Sequence, residues 1–384
     1  MDFQLGPDIA AFREEVRAFI AEVVTPELRE KILRSGTSFD WDVHRQMAER
    51  GWLRDDWPAE HGGAGRSPFR VLALQEELEL AGGPTFGIFY ARALANCIRG
   101  AGSPAQKADL IPKLLGGKII LCLGYSEPSC GSDVAAARTR AVREGDAWVI
   151  NGQKMWTTMA EHASHVFLLT RTNTEVAKHR GLTMFVVPID TPGIEIHEVK
   201  TLGGERTNIT YYSDVRVPDS ARVGEVDGGW SVMINALRDE RPGGGRGHSD
   251  RMLLNAVRAL AEREGGRIDD PRSLEKLGRI AVQNEVARLI GYSAVARFAQ
   301  QRHDGVTGPM FKLFSSENML RNSGVLLDLL GPEALLHDGS EVCEGAGAIE
   351  EAWRHSHVGT IYAGSSEVQR DIIAQRGLDL PRSR

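Results

Sequence analysis

The spacing of apolar positions changes twice along the chain. In the first third, Ile9, Phe12, Val16, Phe19, Ile20 and Val23 recur at three- and four-residue steps. That spacing predicts a helix with one apolar stripe. Pro7 stands where such a helix opens, because a first-turn residue has no use for its N–H. The run Trp57-Pro58-Ala59-Glu60-His61-Gly62-Gly63-Ala64-Gly65 breaks the period, and helical spacing resumes near Pro68 with Val71, Leu72, Leu74, Leu78 and Leu80. The middle third is strand-like. A short apolar run covers 119–125, and 136–143 and 147–150 flank Glu144-Gly145-Asp146 as a hairpin would. Further strands are predicted at 165–171, 182–189 and 193–199, spaced as in a sandwich or barrel. Helical stripes return with Leu253, Val257 and Leu260, then Leu277, Ile280, Val286, Leu289 and Ile290, then Val325, Leu326, Leu329 and Leu330.

Helices, then strands, then helices, with no βαβ alternation, exclude a doubly wound nucleotide fold. The expected class is α+β in three parts: a helical domain over 1–118, a β-barrel or sandwich over 119–227, and a four-helix-type domain over 228–384. A chain of 384 residues exceeds what one core normally fills, which agrees with that division.

Charge and composition remove several function classes. The net charge of -6, with both signs mixed throughout, gives no basic footprint for a nucleic-acid partner. No stretch approaches the roughly 20 apolar residues of a membrane span, so no membrane insertion is expected. Asp2, Asp8, Glu14 and Glu15 take the place of a basic export leader. Cys97, Cys122, Cys130 and Cys343 stand apart and read as reduced thiols, which points to the cytoplasm. His355 and His357 lack the Cys or carboxylate companions of a metal site, so no metal is expected, and they read as exposed helix residues.

Four segments then resemble one family in the right order. They are Trp57-Pro58 with His61-Gly62-Gly63-Ala64-Gly65; Tyr125-Ser126-Glu127-Pro128-Ser129-Cys130-Gly131-Ser132-Asp133; Gly152-Gln153-Lys154-Met155-Trp156-Thr157-Thr158; and Ile361-Tyr362-Ala363-Gly364-Ser365-Ser366-Glu367-Val368-Gln369. Together they are similar to the motifs of acyl-CoA dehydrogenases. The resemblance implies a helix–barrel–helix architecture and FAD as cofactor, with α,β-dehydrogenation of an acyl-CoA thioester to the 2-enoyl-CoA. It implies flavin contacts at Leu123, Tyr125, Ser126, Gly131, Ser132, Trp156, Thr158, Ser365 and Glu367. Ser126 and Thr158 would offer hydroxyls to the polar edge of the ring, Trp156 would pack beside it, and Gly131 would admit close backbone approach. It implies substrate contacts at Ser132, Arg241, Tyr362, Ala363 and Gly364. Each motif also has a plain structural reading, since Ser-Glu-Pro is often a turn and Gly-Ser-Asp often a helix cap.

Removing an α-proton from a thioester needs a positioned carboxylate and hydrogen bonds to the thioester oxygen. Many family members carry this glutamate in a Tyr-Glu-Gly-Thr motif, where this chain has Ala363, whose methyl group takes no proton. A second family pattern places it before an arginine on an earlier helix, here within Leu237-Arg238-Asp239-Glu240-Arg241-Pro242. Glu240 is therefore the expected base and Arg241 a contact of the CoA portion. The alternative is a solvated helix pair.

Three departures narrow the resemblance. Gly243-Gly244-Gly245 costs a helix roughly 1 kcal/mol per glycine, so it marks a break or makes room for a bulky acyl group. Arg272-Ser273-Leu274-Glu275-Lys276-Leu277-Gly278 lacks the phenylalanine that a neighbouring subunit gives to the flavin in family homotetramers. Leu330-Gly331-Pro332-Glu333-Ala334 replaces a later Gly-Gly-x-Gly turn. The stretch 205–212, with Val217-Pro218-Asp219-Ser220, resembles actinobacterial acyl-CoA dehydrogenases of steroid side-chain breakdown, which include hetero-oligomers. The implied partners are a second related chain in a homo- or hetero-tetramer, an acyl-CoA, and an electron-transferring flavoprotein as acceptor. Two rivals stand beside this: an acyl-CoA oxidase or flavin monooxygenase on the same fold, and a non-catalytic subunit of a heteromeric dehydrogenase.

Overall fold

The computed structural model describes residues 5–239, 247–262, 268, 270–302, 304–336 and 347–381. Six helices come first: α1 (Pro7–Val23), α2 (Pro26–Ser35), α3 (Trp41–Glu49), α4 (Phe69–Ala81), α5 (Phe86–Ala101) and α6 (Pro104–Leu115). Pro7 does open α1, and Ile9, Phe12, Val16, Phe19 and Ile20 are all buried. Phe12 and Phe19 set their rings edge-on to Trp52 at 5.5 and 5.1 Å. Burying a side chain of this size contributes about 2–3 kcal/mol. Side chains close the starts of α3 and α6: Asp40 accepts from the amides of Asp42 and Val43 ahead of α3, and Ser103 and Gln106 form a reciprocal capping box at α6.

All eight strands belong to one hydrogen-bonded sheet. They are β1 (Leu121–Gly124), β2 (Arg140–Glu144), β3 (Ala147–Lys154), β4 (His165–Arg171), β5 (Leu182–Pro188), β6 (Ile194–Lys200), β7 (Arg206–Pro218) and β8 (Arg222–Val223). Their order is β6-β7-β3-β2-β4-β5-β8, with β1 running parallel beside β4. The hairpin of β2 and β3 turns on Gly145-Asp146, where Gly145 has φ 62°, a conformation glycine adopts without steric cost. The predicted strand at 136–143 begins only at Arg140, because Val134–Ala136 winds into a 3-10 turn.

The longest strand, β7, is absent from the periodicity reading. Its inward positions include Asn208 and Thr210 before Tyr212, Val215 and Val217, so the buried side is polar at one end. The alternation also slips by one residue. Ile150 pairs with Val215 while Gly152 pairs with Tyr212, and Asp214 in the extra residue pair has φ 50°. That is a β-bulge, which shifts the side-chain period in mid-strand.

Among the described residues that follow, six α-helices occur: α7 (Gly229–Asp239), α8 (Gly247–Glu262), α9 (Pro271–Ala299), α10 (Thr307–Leu330), α11 (Gly347–Gly359) and α12 (Ser366–Gly377). The first helices, the sheet and α7 share one apolar core, with Leu53, Leu74, Leu94, Ile111, Phe167, Phe185 and Met233 in it. A second core lies among α8, α9, α10 and α11, built on Met252, Leu260, Leu277, Ile280, Leu326, Leu330 and Ile349. Among the described residues no helix is long and apolar enough to cross a membrane.

Candidate functional site

The Ser126 segment leaves the end of β1 and makes a tight turn in which Glu127 and Cys130 exchange backbone hydrogen bonds of 2.8 and 3.0 Å. The turn reading of Ser-Glu-Pro is thus correct as local structure. The Glu127 carboxylate points inward and accepts from the amides of Arg138 (2.7 Å) and Thr139 (2.8 Å) and from Lys154 Nζ (2.8 Å). Lys154 is fully buried in β3 and donates also to the Tyr125 carbonyl at 3.0 Å. Burial pushes the Glu127 acid up, but the Lys154 ammonium and the two amides overcome it and hold the carboxyl below its ordinary range. One buried ion pair therefore fixes the Tyr125–Ser126 backbone against the end of β3.

The same strand end carries the aromatic. The Met155 amide donates to the Ser126 carbonyl at 2.9 Å, and the chain then turns sharply through Trp156 at φ 64° and Met159 at φ 71°. Left-handed backbone costs an L residue roughly 1–2 kcal/mol, so the surroundings must impose it. They do so through Asn208, whose carbonyl accepts from the Thr157 amide at 2.8 Å and whose side chain donates to the Thr157 carbonyl at 3.0 Å and to Glu161 at 2.7 Å. The result leaves the Trp156 indole 52% exposed. Thr158 exchanges a hydroxyl hydrogen bond with Thr207 at 3.0 Å.

Ser126, Trp156 and Thr158 therefore lie together on one frame, and Leu123 and Tyr125 are partly exposed. Gly131 and Ser132 are exposed, and a Cβ at Gly131 would touch nothing in the chain. The cap reading of Gly-Ser-Asp is corrected: Asp133 makes no cap hydrogen bond and instead pairs with Lys178 at 2.7 Å. An exposed aromatic face, two hydroxyl-bearing side chains and a bare glycine suit a planar ring with a polar edge, so these residues fit a flavin.

The fourth motif forms the turn between α11 and α12. Tyr362 is 51% exposed, and Ala363 and Gly364 are left-handed at φ 51° and 86°. Gln369, fully buried on α12, donates to the carbonyls of Ala363 (2.9 Å) and Gly364 (3.2 Å). Ser365 caps α12 by accepting from the Val368 amide at 3.4 Å. Glu367 is exposed and lines a cleft of about 440 Å³ between α10 and α12, with Glu317, Arg321, Thr360, Ile361 and Ser366.

This turn meets the sheet through a pairing that sequence reasoning missed. His355 Nδ1 lies 3.0 Å from Glu205, just ahead of β7, and Arg354 donates to the Leu202 carbonyl at 2.6 Å. The expectation that His355 is an exposed helix residue is therefore overturned: its side chain is 23% exposed and ion-paired. Gly203 lies so close that a Cβ there would come within 3.0 Å of the His355 backbone. Burial pulls the imidazole down, and the hydrogen bond and charge of Glu205 reverse this and raise it above its ordinary value. His357 turns inward along its own helix, with Nδ1 2.9 Å from the Trp353 carbonyl.

Glu240 and Arg241 lie outside the described residues, as does Gly243-Gly244-Gly245. Gly331 ends α10 at φ 77°, and Pro332–Leu335 follows as a 3-10 turn. Among the described residues no cluster of three metal-binding side chains occurs.

Two helical parts around a mixed sheet, with an exposed aromatic at Trp156 and a left-handed turn at 363–364, define the class. Family models match all three parts: "Acyl-CoA dehydrogenase, N-terminal domain" over 6–118, "middle domain" over 122–216 and "C-terminal domain" over 227–378. The chain belongs to the acyl-CoA dehydrogenase family, oxidoreductases that act on CH–CH groups and are generally flavin-dependent. It is 35% identical over 399 residues to acyl-CoA dehydrogenase FadE26 of Mycobacterium tuberculosis, covering 100% of both chains. It is 32% identical over 390 residues to acyl-CoA dehydrogenase IpdE1 of the same organism, covering 98% of each. Among solved structures, the ChsE4-ChsE5 complex of M. tuberculosis aligns with a TM-score of 0.92 at 35% identity, and the Tcur3481-Tcur3483 steroid ACAD with 0.92 at 31%, each over 100% of both chains.

Proposed function

We propose that this chain, with FAD bound, converts an acyl-CoA thioester to the 2-enoyl-CoA, using Glu240 as the base. The observation that carries the assignment is Ala363. The turn whose motif bears the acid in many relatives is left-handed here and presents only a methyl group. A proton acceptor must then come from elsewhere, and in the sequence Glu240 directly follows Asp239, the last residue of α7.

FAD, when bound, supplies the two-electron oxidation at the β-carbon. Trp156 would stack beside the ring system, the hydroxyls of Ser126 and Thr158 would meet its polar edge, and Leu123 and Tyr125 would back it. Gly131 and Ser132 would take the phosphates or the CoA arm, and Ser365 and Glu367 would border the cofactor at α12. Tyr362, Ala363, Gly364 and Arg241 would hold the thioester end, with Glu240 taking the α-proton while nearby amides stabilise the oxygen.

A bulky acyl group, as on a steroid side chain, is the substrate class this reading favours, supported by the name of the Tcur3481-Tcur3483 steroid ACAD and by the three glycines after Glu240. The two-component ChsE4-ChsE5 and Tcur3481-Tcur3483 relatives, and Pro332 in the turn after α10 where an N–H donor is expected, favour assembly with a second related chain. An electron-transferring flavoprotein is the proposed acceptor.

The test is the visible spectrum of the purified assembly titrated anaerobically with acyl-CoAs. Glu240→Gln should retain the flavin absorbance and lose bleaching by substrate. Bleaching at the normal rate in that variant removes Glu240 from the role. Expression alone should give little FAD and co-expression with a related chain should restore it; full flavination of the chain alone overturns the assembly reading.

A further inference from the structure

Between α4 and the start of α8, two buried polar atoms have no partner. Glu79, near the end of α4, accepts from Gln75 at 2.9 Å through Oε1, while Oε2 is buried and unpartnered. His248, in the first turn of α8, has Nδ1 within 3.4 Å of an Arg251 N–H, while Nε2 is buried and unpartnered. An Nδ1 that accepts from arginine puts the ring proton on Nε2, so the free atom is a donor. The two residues are neighbours. A Cβ at Gly247 would fall 2.7 Å from Glu79 Cβ and 2.2 Å from the Glu76 carbonyl, so only glycine lets α8 begin against α4. The His248 amide donates toward the Glu79 carboxyl group, and Oε2 is left without a partner.

The pair is continuous with the site. The His248 ring lies 6.1 Å from that of His355, and His355 lies 6.4 Å from Tyr362 on the left-handed turn. The groups facing it are Glu76, held by Arg13 and Tyr292, together with Arg251 and the His355–Glu205 pair. Burial, reinforced by Glu76, pushes the Glu79 carboxyl up to about 7, and burial with Arg251 and His355 pulls the His248 imidazole down to about 3. The imidazole is therefore neutral, and the carboxyl is balanced between its two forms.

An unpaired buried carboxyl oxygen and an unpaired imidazole N–H each cost stability unless something fills the gap. A hydrocarbon chain satisfies neither atom. A carboxylate would be repelled by Glu79. A hydroxyl satisfies both, donating to the carboxyl oxygen and accepting from the imidazole N–H. We infer that Glu79 and His248 form a specificity subsite for a hydroxyl group carried by the acyl portion of the substrate. This rests on the acyl-CoA reading of the Tyr362-Ala363-Gly364 turn.

The experiment uses the FAD-loaded assembly and acyl-CoA pairs that differ by one hydroxyl, on straight chains and on fused-ring acyl groups. In the parent protein at least one hydroxylated thioester should exceed its deoxy partner in kcat/KM. Glu79→Leu should cut that advantage about tenfold, the size of one net hydrogen bond, with the deoxy thioester unaffected or improved. Glu79→Gln, which keeps a hydrogen-bonding end, should retain most of it. The thermal shift given by the hydroxylated thioester should exceed that of its partner in the parent and match it in Glu79→Leu. Equal changes for both members of every pair, in rate and in thermal shift, overturn the inference and leave a buried water as the occupant. If no thioester bleaches the flavin, the acyl-CoA reading fails first and the subsite falls with it.

Discussion

Glu205, on the turn before β7, and His355, in the middle of α11, form an ion pair of 3.0 Å that joins the sheet to the C-terminal helices. His355 is raised above its ordinary value of 6.5, so it binds a proton more tightly folded than unfolded. Its contribution is therefore complete below about 6.5 and is lost as pH rises through the folded value. Hydrogen exchange of the amides at 201–205 should accelerate with rising pH beyond the intrinsic rate, and Glu205→Gln should remove that excess. An unchanged pH response in Glu205→Gln would show that the junction does not depend on this proton.

The Glu127–Lys154 pair predicts an asymmetric mutational response. Lys154→Met leaves a buried carboxylate with two amides and no countercharge, and should destabilise by about 3–5 kcal/mol. Glu127→Gln with Lys154→Met should recover part of this, because no uncompensated charge remains. Urea denaturation of the two variants measures the difference, and additive losses would refute the coupling.

Trp156 separates binding from stability. Trp156→Gly relieves a left-handed residue at φ 64° and removes only a half-exposed side chain. Melting of the flavin-free protein should stay level or rise, by up to about 1 kcal/mol, while flavin affinity should fall at least about tenfold if base-to-aromatic stacking of the usual strength is lost. Fluorescence titration with FAD reads the second effect. Unchanged affinity would take the indole out of the cofactor site.

His44 sets an acid limit. It is buried between α3 and α5 with neither ring nitrogen hydrogen-bonded, and burial, with Arg45, pulls it down to about 4. The unfolded chain takes up a proton near 6.5 that the folded chain refuses, so stability falls as pH drops from 6.5 towards 4, by up to about 3 kcal/mol. His44→Leu should flatten this part of the stability–pH curve, measured by urea denaturation at a series of pH values.

Much of the architecture was legible because it rests on apolar period. The α1 stripe, the β2–β3 turn and the boundaries of β4 carry strong local signals. β7 was hidden because its buried side includes Asn208 and Thr210 and its bulge at Asp214 resets the alternation. At the site, motif order marked Ser126, Trp156 and the 362–364 turn, and the structure joins the first two through the Met155–Ser126 hydrogen bond. Glu127 and Lys154 sat inside quoted motifs without a role, although a lysine closing an apolar strand was a usable hint. The Glu205–His355 and Glu79–His248 relationships left no such trace, since residues so far apart in the chain meet only through tertiary packing.

Gln369 grips the 363–364 turn entirely through main-chain oxygens. The contour of that turn is therefore indifferent to whatever side chain position 363 displays, whether methyl or carboxylate. The proposed placement of the acid at Glu240 therefore asks nothing of the turn itself, whose course is written in its carbonyls and not in what it displays.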